Sequence, residues 1–532
     1  MQKKIKLAIV SILLVTIIIV MIIIKNNFHS KYSFTQDGIK YALTLDGNKI
    51  TSFPSKGMYK VQVTCDGADG KWLYDDWKLT IENIISNNIT CDIDFHTITK
   101  TNLNDYIISL AGTEQGTGQV VNETAILDNS TFTAGDKLDQ SGYTISSNDA
   151  TYPFEWDDTN KTWTSTNHTD SATSTIEFKV ATAGSYQVCY KQSSEKNYDY
   201  TIFYKNNIQM KSLKGISNSV FECYFLGNLT ISNVIKVTYQ KDGSSSSGSD
   251  NVVFYLQSGT YNENIQTVSA GIRYEGKNPN NYIWFNNEYW RIIGVFDNTS
   301  HGQNNKMLVK LIRDENLDSL AWNTSNINDW STASLKNLLN NAYLNAEDGT
   351  NSGYCYIHGT TISANCNYTK RGIQSIYRNM VANVTWYLGG YSDANVTVDS
   401  LYSYERSSNV YSGNSTSTTG YIGLMYTSDY GYSVLADSCS RETILDSYYN
   451  ESCAGSSWLR GNGVEWLLTP NSSYNAFVFI LNFRGVPIAM DNGWFYNSPK
   501  FSYNFRPVLY LDSSVYKIDG DGSLENPYII GM

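Results

Sequence analysis

Few residues of this chain stand at spacings that would do chemistry on their own. The five histidines, His29, His96, His168, His301 and His358, are scattered along the chain, and no HExxH pair sets two of them on one helix face for zinc. No Gly-x-Ser-x-Gly turn presents a serine nucleophile. The carboxylate pairs Asp75-Asp76 and Asp157-Asp158 are sequence neighbours, so on a strand their side chains point to opposite faces. Glycoside hydrolysis needs carboxylates that face each other over a cleft, an arrangement only the fold can make, so an extracellular hydrolase stays open as a lesser alternative. "DGDGSLENPY", from Asp519 to Tyr528, begins like a calcium loop, but Glu525 stands at its seventh position, where an EF-hand needs Glu at the twelfth. The expectation is therefore no catalytic residue, no metal and no cofactor.

Binding is the better-supported chemistry. Residues 471–504, "NSSYNAFVFILNFRGVPIAMDNGWFYNSPKFSYN", mix aromatic faces for stacking with side chains that donate and accept hydrogen bonds. The candidate ligand-binding residues are Tyr474, Asn475, Asn482, Arg484, Asp491, Asn492, Trp494, Tyr496 and Tyr503. Phe477, Phe479 and Leu481 alternate with them in a way that predicts core. Trp156 and Trp163 carry two readings, core packing or stacking on sugar, with core the favoured one.

The eight cysteines fall in close pairs: Cys65 with Cys91, Cys189 with Cys223, Cys355 with Cys366, and Cys439 with Cys453. No CxxC and no nearby histidine suits zinc, so nearest-neighbour disulfides are expected, as an oxidising exterior permits. The first residues fix the compartment. "MQKKIK" is basic, and residues 7–24 are apolar without a charge, long enough for about 27 Å of helix and so for a bilayer core. With no small-residue cleavage site after it, the run predicts an uncleaved signal anchor at 7–24, a cytoplasmic tail at 1–6, and everything beyond outside a cell membrane crossed once. The formal net charge is −11 and charged residues are only 17% of the chain, which argues against nucleic acid and against anionic lipid surfaces.

The elements that must position these residues read as three exterior units. Residues 33–102 alternate with period two between Gly, Pro, Asp and Asn turns, predicting a small antiparallel β domain. Residues 103–119 read as a linker with a possible short helix. Residues 120–260 read as a β-sandwich similar in architecture to carbohydrate-binding modules, with Ser-rich 241–250 as a long hairpin tip. Residues 265–532 predict strands, then one helix through Leu335, Leu338, Leu339, Ala342 and Tyr343, a second through Ile373, Ile376, Tyr377, Met380, Val381 and Val384, a long irregular region, and strands again. Arg506-Pro507 precedes Val508-Leu509-Tyr510-Leu511; proline cannot donate to a ladder, so the pair marks the entry to a terminal strand. Arg506 either holds the preceding loop by its carbonyls or faces solvent.

"FNNEYWRIIGVF", "WLLTP" with "FRPVLYLD" after it, and the tail "DGDGSLENPYII" resemble bacterial membrane-anchored surface proteins. Those proteins carry a C-terminal C-type-lectin-like (formylglycine-generating-enzyme-like) domain of unknown function, preceded by accessory β domains. The resemblance covers about residues 265–532 and implies a C-terminal α+β C-type-lectin-like domain with 471–504 on its ligand-facing side. Formylglycine-generating enzymes use reactive cysteines; here both cysteine pairs of this region read as structural, so that activity is not carried over. The Glu-Pro-Asn and Gln-Pro-Asp triplets of calcium-dependent lectins are missing, so sugar binding would be calcium-independent. The expected fold is membrane-anchored and multidomain: one transmembrane helix, two all-β domains and the lectin-like domain. The expected function is a surface-displayed, non-catalytic adhesin or lectin-like protein contacting glycan or protein ligands, with a structural envelope protein as the alternative.

Overall fold

Short alternating runs between Gly, Asn and Asp turns favour strands, and the described residues are predominantly β with few, short helices. The computed structural model describes residues 34–36, 39–128, 130–165, 172–193, 200–214, 220–240, 251–358, 365–450, 452–489 and 498–532. The apolar run 7–24 and the Ser-rich stretch 241–250 lie outside these residues; among the described residues no helix is long and apolar enough to cross a membrane. The chain divides into two compact units, Leu127–Gln266 and Met1–Ile126 together with Thr267–Met532.

Leu127–Gln266 is a β-sandwich. One sheet runs Phe154–Asp157, Thr162–Ser165, Asn251–Asn262, Gly184–Ser193, Glu222–Leu229, with Thr131–Lys137 also paired to Asn251–Asn262. The other runs Tyr143–Asn148, Thr173–Val180, Ile235–Gln240, Tyr200–Lys205, Ile208–Lys214. Alternation buries Ser174, Ile176, Phe178 and Val180 along a single strand, and both sheets feed one core containing Phe178, Phe203 and Phe254. Trp163 is in that core and Trp156 packs on it with ring centroids 5.2 Å apart, which fits the core reading of both. Cys189 and Cys223 are directly opposite each other in the ladder and are bonded.

The other unit begins with a five-stranded sheet ordered Phe34–Gln36, Ile39–Leu45, Ile89–Thr97, Tyr59–Asp66, with Asn48–Ile50 on Ile39–Leu45. The expected all-antiparallel pattern fails at its centre, where Ile39–Leu45 and Ile89–Thr97 run parallel. Residues 33–102 have their own core around Trp72, Cys91 and Phe95, but they are not a free-standing domain. Lys60 pairs with Asp519 at 2.9 Å, and the Tyr74 hydroxyl donates to the same carboxylate at 3.4 Å.

Residues 103–119 are not the linker that their glycines predict. The short helix is present, Leu103–Ser109, yet Leu103 and Ile107 are fully buried in the core of this unit. Gly118–Asp128 then enters the large sheet beside Ile265–Gly276. The glycines that read as flexible serve close approach instead: a Cβ on Gly118 would lie 2.1 Å from the Glu275 carbonyl oxygen. The unit that holds the C-terminal region therefore includes Met1–Ile126, is interrupted by the sandwich, and resumes at Thr267.

Its large sheet is ordered Ile422–Gly423, Val508–Tyr510, Leu308–Arg313, Glu288–Phe296, Ile265–Gly276, Gly118–Asp128, Glu114–Gln115. A second sheet is ordered Asp318–Ala321, Ser502–Phe505, Glu465–Pro470, Val478–Leu481, Pro487–Ile488. One continuous core joins them through Trp290, Trp322, Trp330, Trp386 and Trp466. Buried indoles find partners across the layers: Trp322 donates to the Leu467 carbonyl at 3.1 Å and Trp466 to that of Leu320 at 3.0 Å.

Of the two expected helices, the first is short, Ser334–Leu338 with a π turn over Leu339–Tyr343 after it. The second shrinks to Ser375–Arg378. Ile376 of its expected apolar face is 55% exposed, while Val381 bridges Leu511 and the Ala382 amide donates to the Tyr510 carbonyl. Sheet pairing at 381–382 outcompetes the helical period there. The region expected to be irregular holds the helices Val398–Glu405 and Thr427–Ser433. All four disulfides pair as nearest neighbours.

Candidate functional site

The strand Glu465–Pro470 is buried at every position, and the site is built around its C-terminal end. Asn471, itself buried, accepts from the amides of Ser473 and Tyr474 through Oδ1. Its Nδ2 donates to the carbonyls of Ser392 at 2.6 Å and Ala489 at 2.9 Å. One asparagine thereby ties the loop 391–395 to the end of the second sheet. The Leu445 and Asp446 amides donate to the carbonyls of Val396 and Ala394, which brings the turn Leu445–Ser447 alongside.

Between these walls lies an open cleft of about 470 Å³. Asp393, Ala394 and Asn395 line one side, Asp446 and Tyr449 another, and Asn482, Arg484 and Val486 to Ala489 the third. Tyr449 is 69% exposed. The Asp393 carboxylate is oriented by the Asn395 amide at 2.8 Å. Asn482 is buried, and its Oδ1 accepts from the amides of Arg484 and Val486, so it shapes a tight turn. At the tip of that turn Gly485 has φ +77°, and a Cβ would meet the Tyr430 hydroxyl at 2.7 Å; the same hydroxyl donates to the Gly485 carbonyl. Only glycine serves there. Arg484 is exposed, its guanidinium 5.6 Å from the Phe483 ring. The cleft thus offers carboxylates, an amide, a cation and an aromatic face on a rigid base.

The sequence-selected residues are divided by this arrangement. Asn482 and Arg484 line the cleft. Tyr474 and Asn475 do not: the Asn475 Oδ1 accepts from the Asn414 side chain at 3.0 Å, its carbonyl accepts from the Asn328 amide, and Tyr474 packs edge-on against Phe477. Tyr503 sits in the second sheet with its ring 4.9 Å from that of Trp466, so it packs rather than presents. Asp491, Asn492, Trp494 and Tyr496 lie outside the described residues, in the segment directly after Ala489 of the cleft wall. Phe479 and Leu481 are core as expected; Phe477 is half-buried. Asp393, Asn395, Asp446 and Tyr449 escape sequence reasoning because nothing in their spacing relates them to residue 484. The described histidines stand apart: His301 is buried on the Phe296 carbonyl, His358 lies against Phe501, and His96 is exposed. Among the described residues no group of carboxylates, histidines and cysteines could hold a metal ion.

Arg506 follows neither sequence reading, since it does not face solvent and the carbonyl it bonds is that of Leu459 rather than of the preceding loop. It is buried, donating through Nε and Nη2 to both oxygens of Glu465 at 2.8 and 2.9 Å and through Nη2 to the Leu459 carbonyl at 2.7 Å. It locks the strand that carries the cleft to Val508–Tyr510, which is not the last strand as expected, since Tyr516–Asp519 and Ile529–Gly531 follow it.

No family model matches the chain, and no curated protein matches it. Among solved structures, a secreted serine protease from Vibrio cholerae matches at 10% identity and TM-score 0.16, over 35% of this chain and 32% of the protease. A xylan-binding module from Roseburia intestinalis matches at 8% identity and TM-score 0.17, over 26% of this chain and 96% of the module. A fucose-binding module from Streptococcus pneumoniae matches at 14% identity and TM-score 0.15, over 24% of this chain and 97% of the module. At these scores the likenesses carry no conclusion about what this chain does.

Proposed function

We propose that the protein is a non-catalytic binding protein displayed on a cell surface, held by the apolar run 7–24, with a C-type-lectin-like C-terminal unit that binds glycan in the cleft. The observation that carries this reading is the convergence of Asp393, Asn395, Asp446, Asn482 and Arg484 around an open cleft beside the exposed ring of Tyr449. Sugars present hydroxyls that both donate and accept and apolar ring faces that stack on an aromatic, and that mixed lining answers both. Four disulfides fit an oxidising exterior. The order of strand, helix and returning strand in 265–532, with Arg506-Pro507 opening the returning strand Val508–Tyr510, supports the lectin-like assignment.

The test is glycan-array binding by the full-length chain in detergent, beside Tyr449→Ala, Arg484→Ala and Trp494→Ala. Binding weakened at least tenfold by the first two substitutions supports the cleft. Binding lost only with Trp494→Ala moves the site to the adjoining segment. A folded chain that binds no glycan turns the assignment to a structural envelope protein.

A further inference from the structure

The core of the C-terminal unit holds ionised groups that the cleft does not use. Lys310, on the strand Leu308–Arg313, and Asp429, on the helix Thr427–Ser433, are both fully buried, and Nζ stands 2.5 Å from Oδ2. The Tyr426 amide also donates to Oδ2, at 3.0 Å, while Arg273 Nη1 donates to Oδ1 at 2.9 Å. Around the amine lie the rings of Phe296, Trp386, Tyr426 and Tyr510, with centroids 4.6 to 5.7 Å from Nζ. Next to this pair are Arg406 and Glu405; Glu405 accepts from the Ser428 amide and the Thr469 hydroxyl.

A buried ion pair is a poor way to gain stability, because taking both charges from water costs about what their attraction returns. A lysine amine held against a carboxyl in a dry aromatic pocket also has the geometry for condensation. We infer that Lys310 and Asp429 become joined by an intramolecular amide bond with loss of one water, tying the strand Leu308–Arg313 to the helix Thr427–Ser433.

The step balances within the pair. A proton passes from the Lys310 ammonium to Oδ2, leaving a free amine and a neutral carboxyl. Nζ attacks Cγ, and Arg273 stabilises the negative charge that develops on Oδ1. A second proton passes from Nζ to Oδ2, the Cγ–Oδ2 bond breaks, water leaves and the Cγ–Oδ1 double bond re-forms. One C–N bond is made, one C–O bond is broken, and nothing is oxidised or reduced. Fixed contact replaces the bimolecular encounter, and the aromatic shell keeps out the water that would reverse it. Burial draws the Lys310 amine below the ordinary lysine range despite the Asp429 charge beside it, which favours the free base. Burial would raise the Asp429 carboxyl, but Lys310 and Arg273 override it and hold it at about 2, so the proton that Oδ2 needs comes from Lys310 itself and the bond forms slowly after folding.

Peptide mapping of the full chain, folded, aged, then reduced and digested, tests this. The expected product is a branched peptide joining the segments that carry Lys310 and Asp429, one water lighter than their sum. Asp429→Asn should give the identical branched peptide, with ammonia as the leaving group, and Lys310→Arg should give none. Recovery of only separate linear peptides from the aged wild-type chain overturns the inference. So does a water loss confined to a linear Asp429 peptide, which a cyclic imide would produce.

Discussion

Replacing Arg506 by leucine tests how the cleft-bearing strand is anchored. Arg506 and Glu465 are 5% and 3% exposed in their side chains, and the guanidinium fills both carboxylate oxygens and the Leu459 carbonyl. Leucine leaves the Glu465 carboxylate buried without its partner, which costs about 3–5 kcal/mol. The orphaned Leu459 carbonyl adds about 1 kcal/mol. The double variant Arg506→Leu, Glu465→Leu removes both charges, so it should cost at least about 2 kcal/mol less than Arg506→Leu alone, because an ion pair exchanged for apolar residues is often near neutral. Native-state hydrogen exchange at the amides of residues 465–469 reads the opening free energy of that strand directly, which whole-chain unfolding of a multi-unit protein does not. The anchoring role is refuted if Arg506→Leu changes that free energy by less than about 1 kcal/mol, or if the two single substitutions simply add.

Ile107→Ala should cost the C-terminal unit about 2–5 kcal/mol, since the side chain is fully buried in its core; a loss below about 0.5 kcal/mol in hydrogen exchange of that unit would return 103–119 to a linker. His301 should make the fold acid-sensitive. Burial holds its folded pKa below the ordinary 6.5, so as pH falls the unfolded chain takes the proton first. Stability from this group is complete above about pH 6.5 and declines below it, by at most about 1.4 kcal/mol per pH unit. The hydrogen bonds agree, because Nδ1 accepts from the Gln303 amide at 3.1 Å and a proton there would oppose N–H to N–H. Urea midpoints from pH 5 to 8, followed by native-state hydrogen exchange at the amides of Leu308–Arg313 in the unit that holds His301, should flatten in His301→Gln; unchanged curvature would reject the assignment.

The sequence by itself determined the parts of this protein that depend on neighbours along the chain. Strand alternation such as Thr173–Val180, the nearest-neighbour disulfides and the Arg506-Pro507 strand entry are local patterns, set by side-chain period, loop closure and the missing proline amide. The helix expected across 373–384 failed because its apolar residues had two ways to be buried, and pairing of Val381 with Leu511 supplied backbone partners as well as burial. The linker failed for the converse reason: Gly116 and Gly118 look the same in sequence whether they loosen a chain or let two strands touch. Tertiary structure alone decided the cleft, where Asp393, Asp446 and Arg484 meet from three separate loops, and the buried contact of Lys310 with Asp429 across the core. Such contacts have no period and no fixed spacing. They exist only once the sheets have closed and excluded water, which is also what gives their charges their energy.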